Sequence, residues 1–157
     1  MLRSLLTSTS LVLAAAVFAG TASADPVGAR SLVGSWNVHV SLPNPPSGLP
    51  PESDKLILFG SDGTTIESNG EPGFGAAIGQ WAYAGNQRFD VTWLKQIRNP
   101  ANGALLVIVK IKNKHIMQSD REFSGITVAE IYSPDGKLLL SFEGTVSGKR
   151  IEVEPLP

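Results

Sequence analysis

The stretch "LVGSWNVHVSL", residues 32–42, sets Trp36, Val38, Val40 and Leu42 on one side of an extended chain and Asn37, His39 and Ser41 on the other. Successive side chains of a strand point to opposite faces, so this alternation describes a strand with one apolar and one polar face. The same period of two returns in "RFDVTWL", where Phe89, Val91 and Trp93 alternate with Asp90 and Thr92. It returns again in "KLLLSFEGTV", where Leu138, Leu140 and Phe142 alternate with Ser141 and Glu143. Asp62-Gly63, Asn69-Gly70, Asn102-Gly103 and Asp135-Gly136 are dipeptides that accept the positive φ angles of tight hairpins. Together they predict strands over 33–42, 54–60, 63–68, 78–84, 87–96, 104–112, 114–119, 122–133, 137–146 and 149–154. Glycine or proline interrupts every window long enough for a helical stripe, so the expected class is all-β.

The amino-terminal segment stands apart from this pattern. Arg3 precedes an apolar run from Leu11 to Gly20, and Ala22-Ser23-Ala24 forms a small-x-small site before Asp25. Residues 1–24 therefore read as a secretory signal peptide and 25–157 as a single domain, secreted or periplasmic. The apolar run is too short to span a bilayer, which takes about 20 residues, and no second one follows. Thirteen basic and fourteen acidic residues give a formal net charge of −1. Without a basic run there is no electrostatic footprint for nucleic acid. The chain has no cysteine, so neither disulfides nor thiol chemistry is available and the core must hold the fold by itself.

Eight to ten short antiparallel strands form either a sandwich or a barrel, and closure is favoured because it removes exposed edges. The expected architecture is a closed antiparallel up-and-down barrel of about eight strands. Gly34-Ser35-Trp36 resembles the Gly-x-Trp of the first strand in the lipocalin-like, or calycin, superfamily. That resemblance implies that Trp36 plugs the closed end of the barrel and that Arg150, on the last strand "GKRIEVE", packs on it. The barrel of the allene oxide cyclase type is similar in the same outline.

Two stretches are rich in loop-forming residues: "PNPPSGLPPES", 43–53, and "SNGEPGFGAAIG", 68–79, which is centred on Phe74. The two histidines, His39 and His115, lack ligand-spaced partners and read as surface residues, so no metal is expected, and nothing in the sequence asks for a cofactor. No Gly-x-Ser-x-Gly elbow is present. Among the carboxylates in strand interiors, Glu67 and Glu143 read as outward or turn-proximal, whereas both faces around Glu130 are apolar or small. Glu130 is therefore the candidate catalytic acid. Trp81, Tyr83, Phe89 and Trp93, on the hairpin turning at Gly85-Asn86, are the candidate walls of a ligand pocket, with Phe74 in a loop above it. The run "ALLVIVKI", 104–111, apolar on both faces, suits either a covering loop or a homodimer contact. The preferred function is interior binding of a small apolar or amphipathic molecule. The alternatives are a cofactor-free cyclase or isomerase using a buried acid, and an interaction module with a filled core.

The leader makes the first prediction: protein recovered from the periplasm or medium begins at Asp25, which amino-terminal sequencing checks and an intact Met1 refutes.

Overall fold

The structure is a computed structural model that describes residues 31–68 and 75–156. The leader, the Asn69-Gly70 turn and Phe74 lie outside the described residues. Eight strands follow one another: β1 (Gly34–Ser41), β2 (Glu52–Phe59), β3 (Thr64–Ser68), β4 (Ala77–Gly85), β5 (Arg88–Arg98), β6 (Leu105–Met117), β7 (Glu122–Tyr132) and β8 (Leu138–Arg150). Each pairs antiparallel with its neighbour in sequence, and β1 pairs with β8, so the sheet closes into an up-and-down barrel with no edge.

Two pairs of expected strands are each one long strand, and two residues explain why. Asn113 does not break β6; its side chain turns into the barrel and its Nδ2 lies 3.1 Å from His115 Nε2. Gly148 does not turn the chain in β8. A Cβ there would stand 2.2 Å from Cε1 of Phe123, so the glycine is the gap into which that ring fits. Strand β8 ends at Arg150, and the Ile151 amide still donates to the Ser35 carbonyl of β1 at 2.9 Å. The β4–β5 turn carries positive φ at Gly85, Asn86 and Gln87, preceded by a register shift between Tyr83 and Gly85.

One end of the barrel is closed by a compact device. Trp36 is fully buried and its Nε1 donates to the carbonyl of Leu32 at 2.7 Å. The Arg150 guanidinium lies over the indole, 4.4 Å from the ring centroid. Its Nη2 donates to the Ser31 carbonyl at 2.6 Å, its Nη1 to the Val33 carbonyl and its Nε to the Asp120 carbonyl at 2.7 Å. Gly34, at φ +127°, is required twice over: an L side chain rarely adopts that angle, and a Cβ would stand 2.6 Å from Arg150 Nη1.

Truncating this plug has a measurable cost. Trp36→Ala is expected to lose about 3–5 kcal/mol in urea unfolding. Arg150→Ala is expected to lose more than Arg150→Lys, because lysine keeps the stem and charge but cannot reach three carbonyls with a planar fork. Unfolding of Arg150→Ala at the wild-type midpoint would refute the role assigned to it.

Candidate functional site

Along the strands the inward-facing residues change character in one direction. Near the floor Trp36, Phe59, Phe89, His115 and Phe123 are buried; towards the other end Val40, Ser53, Lys55, Ile97, Val107, Val109, Ile131 and Phe142, on the same inward register, are only half-buried. Side chains that face the axis and yet remain accessible line an empty space. That space is a cavity of about 260 Å³. It exceeds the engineered apolar cavity of about 150 Å³ that accepts a benzene-sized molecule.

The wall has two halves. Strands β6, β7, β8 and β1 supply Val107, Val109, Ile111, Ala129, Ile131, Phe142, Val146, Val38 and Val40, an almost purely hydrocarbon surface. Strands β2, β3 and β5 supply Ser53, Lys55, Glu67 and Lys95. Glu67 and Lys95 are buried, so ionisable side chains lie here inside the barrel rather than on its outside. From the proline-rich loop between β1 and β2, Leu49 and Pro50 reach the mouth, and the Leu42 amide donates to the Pro51 carbonyl at 2.7 Å to hold the loop ends together.

Of the aromatic residues singled out in the sequence, Trp93 lines this cavity. Trp81, Tyr83 and Phe89 also face inward but lie nearer the floor, stacked into one another and into Phe59: Trp81–Phe89 centroids are 5.7 Å apart, Tyr83–Phe89 5.2 Å and Phe59–Trp81 6.3 Å. They fill the closed half rather than wall the open one. Trp81 Nε1 is further anchored to the Gly60 carbonyl at 2.9 Å.

Glu130 sits on the outer face of β7. Its carboxylate accepts from Lys112 Nζ and from the Tyr132 hydroxyl, at 2.8 Å for the latter, and these two bonds hold its pKa below the ordinary carboxylate value. The carboxylate on the cavity wall is Glu67 instead. Glu143 is exposed on the outer face. On the outward side of the doubly apolar run Leu106 is exposed and Ile108 half-buried, while Val107, Val109 and Ile111 face the cavity.

No protein-family model matches the chain, and no curated protein matches it significantly. Geometry and chemistry therefore carry the functional reading.

Lys55, Lys95 and Asn113 are among the wall residues that sequence reasoning passed over. A signal for them exists: Lys95 continues the inward series 89, 91, 93, and Lys55 shares the register of Ile57 and Phe59, so each is a polar residue on an apolar face. The histidines divide. His39 lies on the outer face, 3.0 Å from the carboxylate of its cross-strand partner Asp54. His115, expected at the surface, is completely buried, stacked on Phe123 with centroids 4.2 Å apart and planes 16° from parallel, and edge-on to Phe59. Its neighbours Lys114 and Ile116 point outward, and alternation carries the imidazole inward between them.

Burial pushes the His115 pKa down to about 3, so the ring is neutral in the fold. In the unfolded chain it titrates near its ordinary value of about 6.5. Between those values the unfolded state binds the additional proton, so stability rises with pH across the window and is lost on acidification through it, by up to about 1.4 kcal/mol per pH unit. Urea unfolding at pH 7, 5.5 and 4 is expected to show this slope in the wild type and a shallower one in His115→Phe, which keeps the stacked ring and removes the titration. Equal slopes would show that the imidazole does not control acid stability.

Proposed function

We propose that this chain is an exported barrel that binds a small amphipathic molecule in its open half. The observation that carries the reading is the hollow of about 260 Å³ between a solid floor and a loop-covered mouth. Ligand sites are typically concave and mostly apolar, with a few convergent polar groups that fix orientation. Here the hydrocarbon wall of β6–β8 and β1 suits the apolar face of a ligand, and Ser53, Lys55, Glu67 and Lys95 suit its polar edge. The Gly-x-Trp and arginine floor supports the same reading through its resemblance to lipocalin-like barrels, and the leader-like residues 1–24 support export. Glu130 supports no interior acid chemistry, because it is on the outside and held ionised by Lys112 and Tyr132.

Titration with N-phenyl-1-naphthylamine, an apolar fluorophore that brightens out of water, is expected to saturate at one equivalent and to quench Trp93 emission. Val109→Trp, which places an indole in the cavity, is expected to weaken binding by at least about tenfold while the barrel still melts cooperatively. Glu130→Gln is expected to leave the affinity unchanged. Absence of saturable binding, or equal affinity in Val109→Trp, would overturn the reading.

A further inference from the structure

On the outer face of the barrel one band departs from the usual polar surface. Outward positions of a sheet that faces water are ordinarily polar, yet Leu58, Ile66, Ile78 and Leu94 are all outward and 49, 46, 68 and 55 % exposed. They stand directly opposite one another in successive strand pairs: Leu58 with Ile66, Ile66 with Ile78, and Ile78 with Leu94. The result is an unbroken aliphatic row across β2, β3, β4 and β5, about 14 Å long at the usual strand spacing. Leu56, two residues along β2 from Leu58, is exposed as well and widens the row at that end.

Among the described residues, none that flanks the four along their strands is charged: the flanks include Thr64, Ser68, Gln80, Thr92 and Gln96, all exposed. Ser35 ends the row on β1, opposite Leu58, and Lys110 ends it on β6, opposite Leu94. On β6 and β7, by contrast, the exposed isoleucines stand singly. Ile126 lies opposite Lys114 and Thr145, and Ile116 opposite Arg88 and Ser124. Single exposed apolar residues are ordinary, whereas a contiguous patch marks a contact surface.

We propose that this row is the contact between two copies of the chain. The five exposed side chains present on the order of 500 Å² to water, the size of a functional patch. Two such patches face to face remove on the order of 1,000 Å², where specific interfaces begin. A two-fold axis through the middle of the row lays Leu58 and Ile66 of one copy on Leu94 and Ile78 of the other, so the surface complements itself. The same axis sends the two Lys110 side chains to opposite ends, and a formal net charge of −1 per chain sets up little repulsion between copies. The homodimer contact is thus placed on β2–β5 rather than on 104–111, where Leu106 and Ile108 run into Lys110. It lies on the outer face and does not depend on what the cavity holds.

Sedimentation velocity of the full exported chain is expected to show a dimer at concentrations on the order of 10 μM. Ile78→Glu, at the most exposed position of the row, is expected to weaken the dimer by at least about thirtyfold while the barrel still melts cooperatively. Ile126→Glu, at a similarly exposed outward isoleucine outside the row, is expected to leave it unchanged. A wild type that stays monomeric at concentrations on the order of 1 mM overturns the proposal, whatever the variants do. A dimer that survives Ile78→Glu overturns it too, by placing the contact elsewhere. A monomeric wild type that floats with phosphatidylcholine vesicles, and no longer does so as Ile78→Glu, overturns the second copy and gives the row to a lipid surface. If Ile78→Glu does not fold, Ile78→Ser, which adds no charge, takes its place, with a weaker dimer again expected.

Discussion

The fold depends on how one guanidinium is used. Arg150 comes from the last strand, covers an indole on the first, and donates to carbonyls of Ser31 and Val33, just before the first strand, and of Asp120, between the sixth and the seventh. Carbonyls at the end of a closed sheet have no further strand to accept from, and leaving them buried and unpaired is costly. An ammonium could satisfy one or two of them; the planar fork of arginine reaches all three and still stacks on the ring. Gly34 follows from this arrangement, since any Cβ there collides with the guanidinium. Without cysteine, the chain has no covalent substitute for this closure.

Above that floor the barrel divides its interior between packing and space. The lower half carries most of the aromatic mass: Trp36, Phe59, Phe89 and Phe123, with His115 stacked among them as a neutral ring. Burial of such large rings is the main source of stability available to a chain with no disulfide. The upper half leaves the axis open and holds its charged residues on one side only. A solid half that keeps the barrel folded frees the other half from that task, so side chains there can be chosen for what they contact rather than for how well they fill.

The architecture was legible because it rests on local signals. Period-two alternation marks the strands, and Asp-Gly and Asn-Gly mark turns between them, while closure follows from the need to hide edges. Where strands were divided wrongly, the breaks fell at Asn113 and Gly148, residues used for reasons that a single strand does not reveal: a polar contact inside the barrel and a gap for the Phe123 ring. The site was legible only in part. Alternation groups Trp81 with Tyr83 and Phe89 with Trp93, but tells neither which face is inward nor how far along the axis each lies, because the latter depends on the stagger between strands around the whole barrel. The segment "NKHI" misleads for a related reason. Its inward residues, Asn113 and His115, are polar and its outward Ile116 is apolar, the reverse of the usual relation. Lys55 and Lys95 could have been found by following the inward register past the last aromatic residue and asking why a cation interrupts it before Ser53 and before Ile97.

Closure of the first strand on the last also has a consequence in time. Arg150 meets Val33 across 117 positions of sequence, whereas the pairings between neighbouring strands join segments that follow one another in the chain. Hairpins with short loops form readily, and contacts between distant segments carry the larger entropic cost and form slowly. A chain emerging from its amino terminus thus holds β1 with one side unpaired through the synthesis of all seven later strands. Until β8 arrives, the sheet has two free edges, at β1 and at the newest strand, each with a row of backbone groups able to pair with another molecule. A product cut short before Leu138 keeps both edges permanently, so damage at the carboxyl terminus converts a self-contained barrel into a template for assembly.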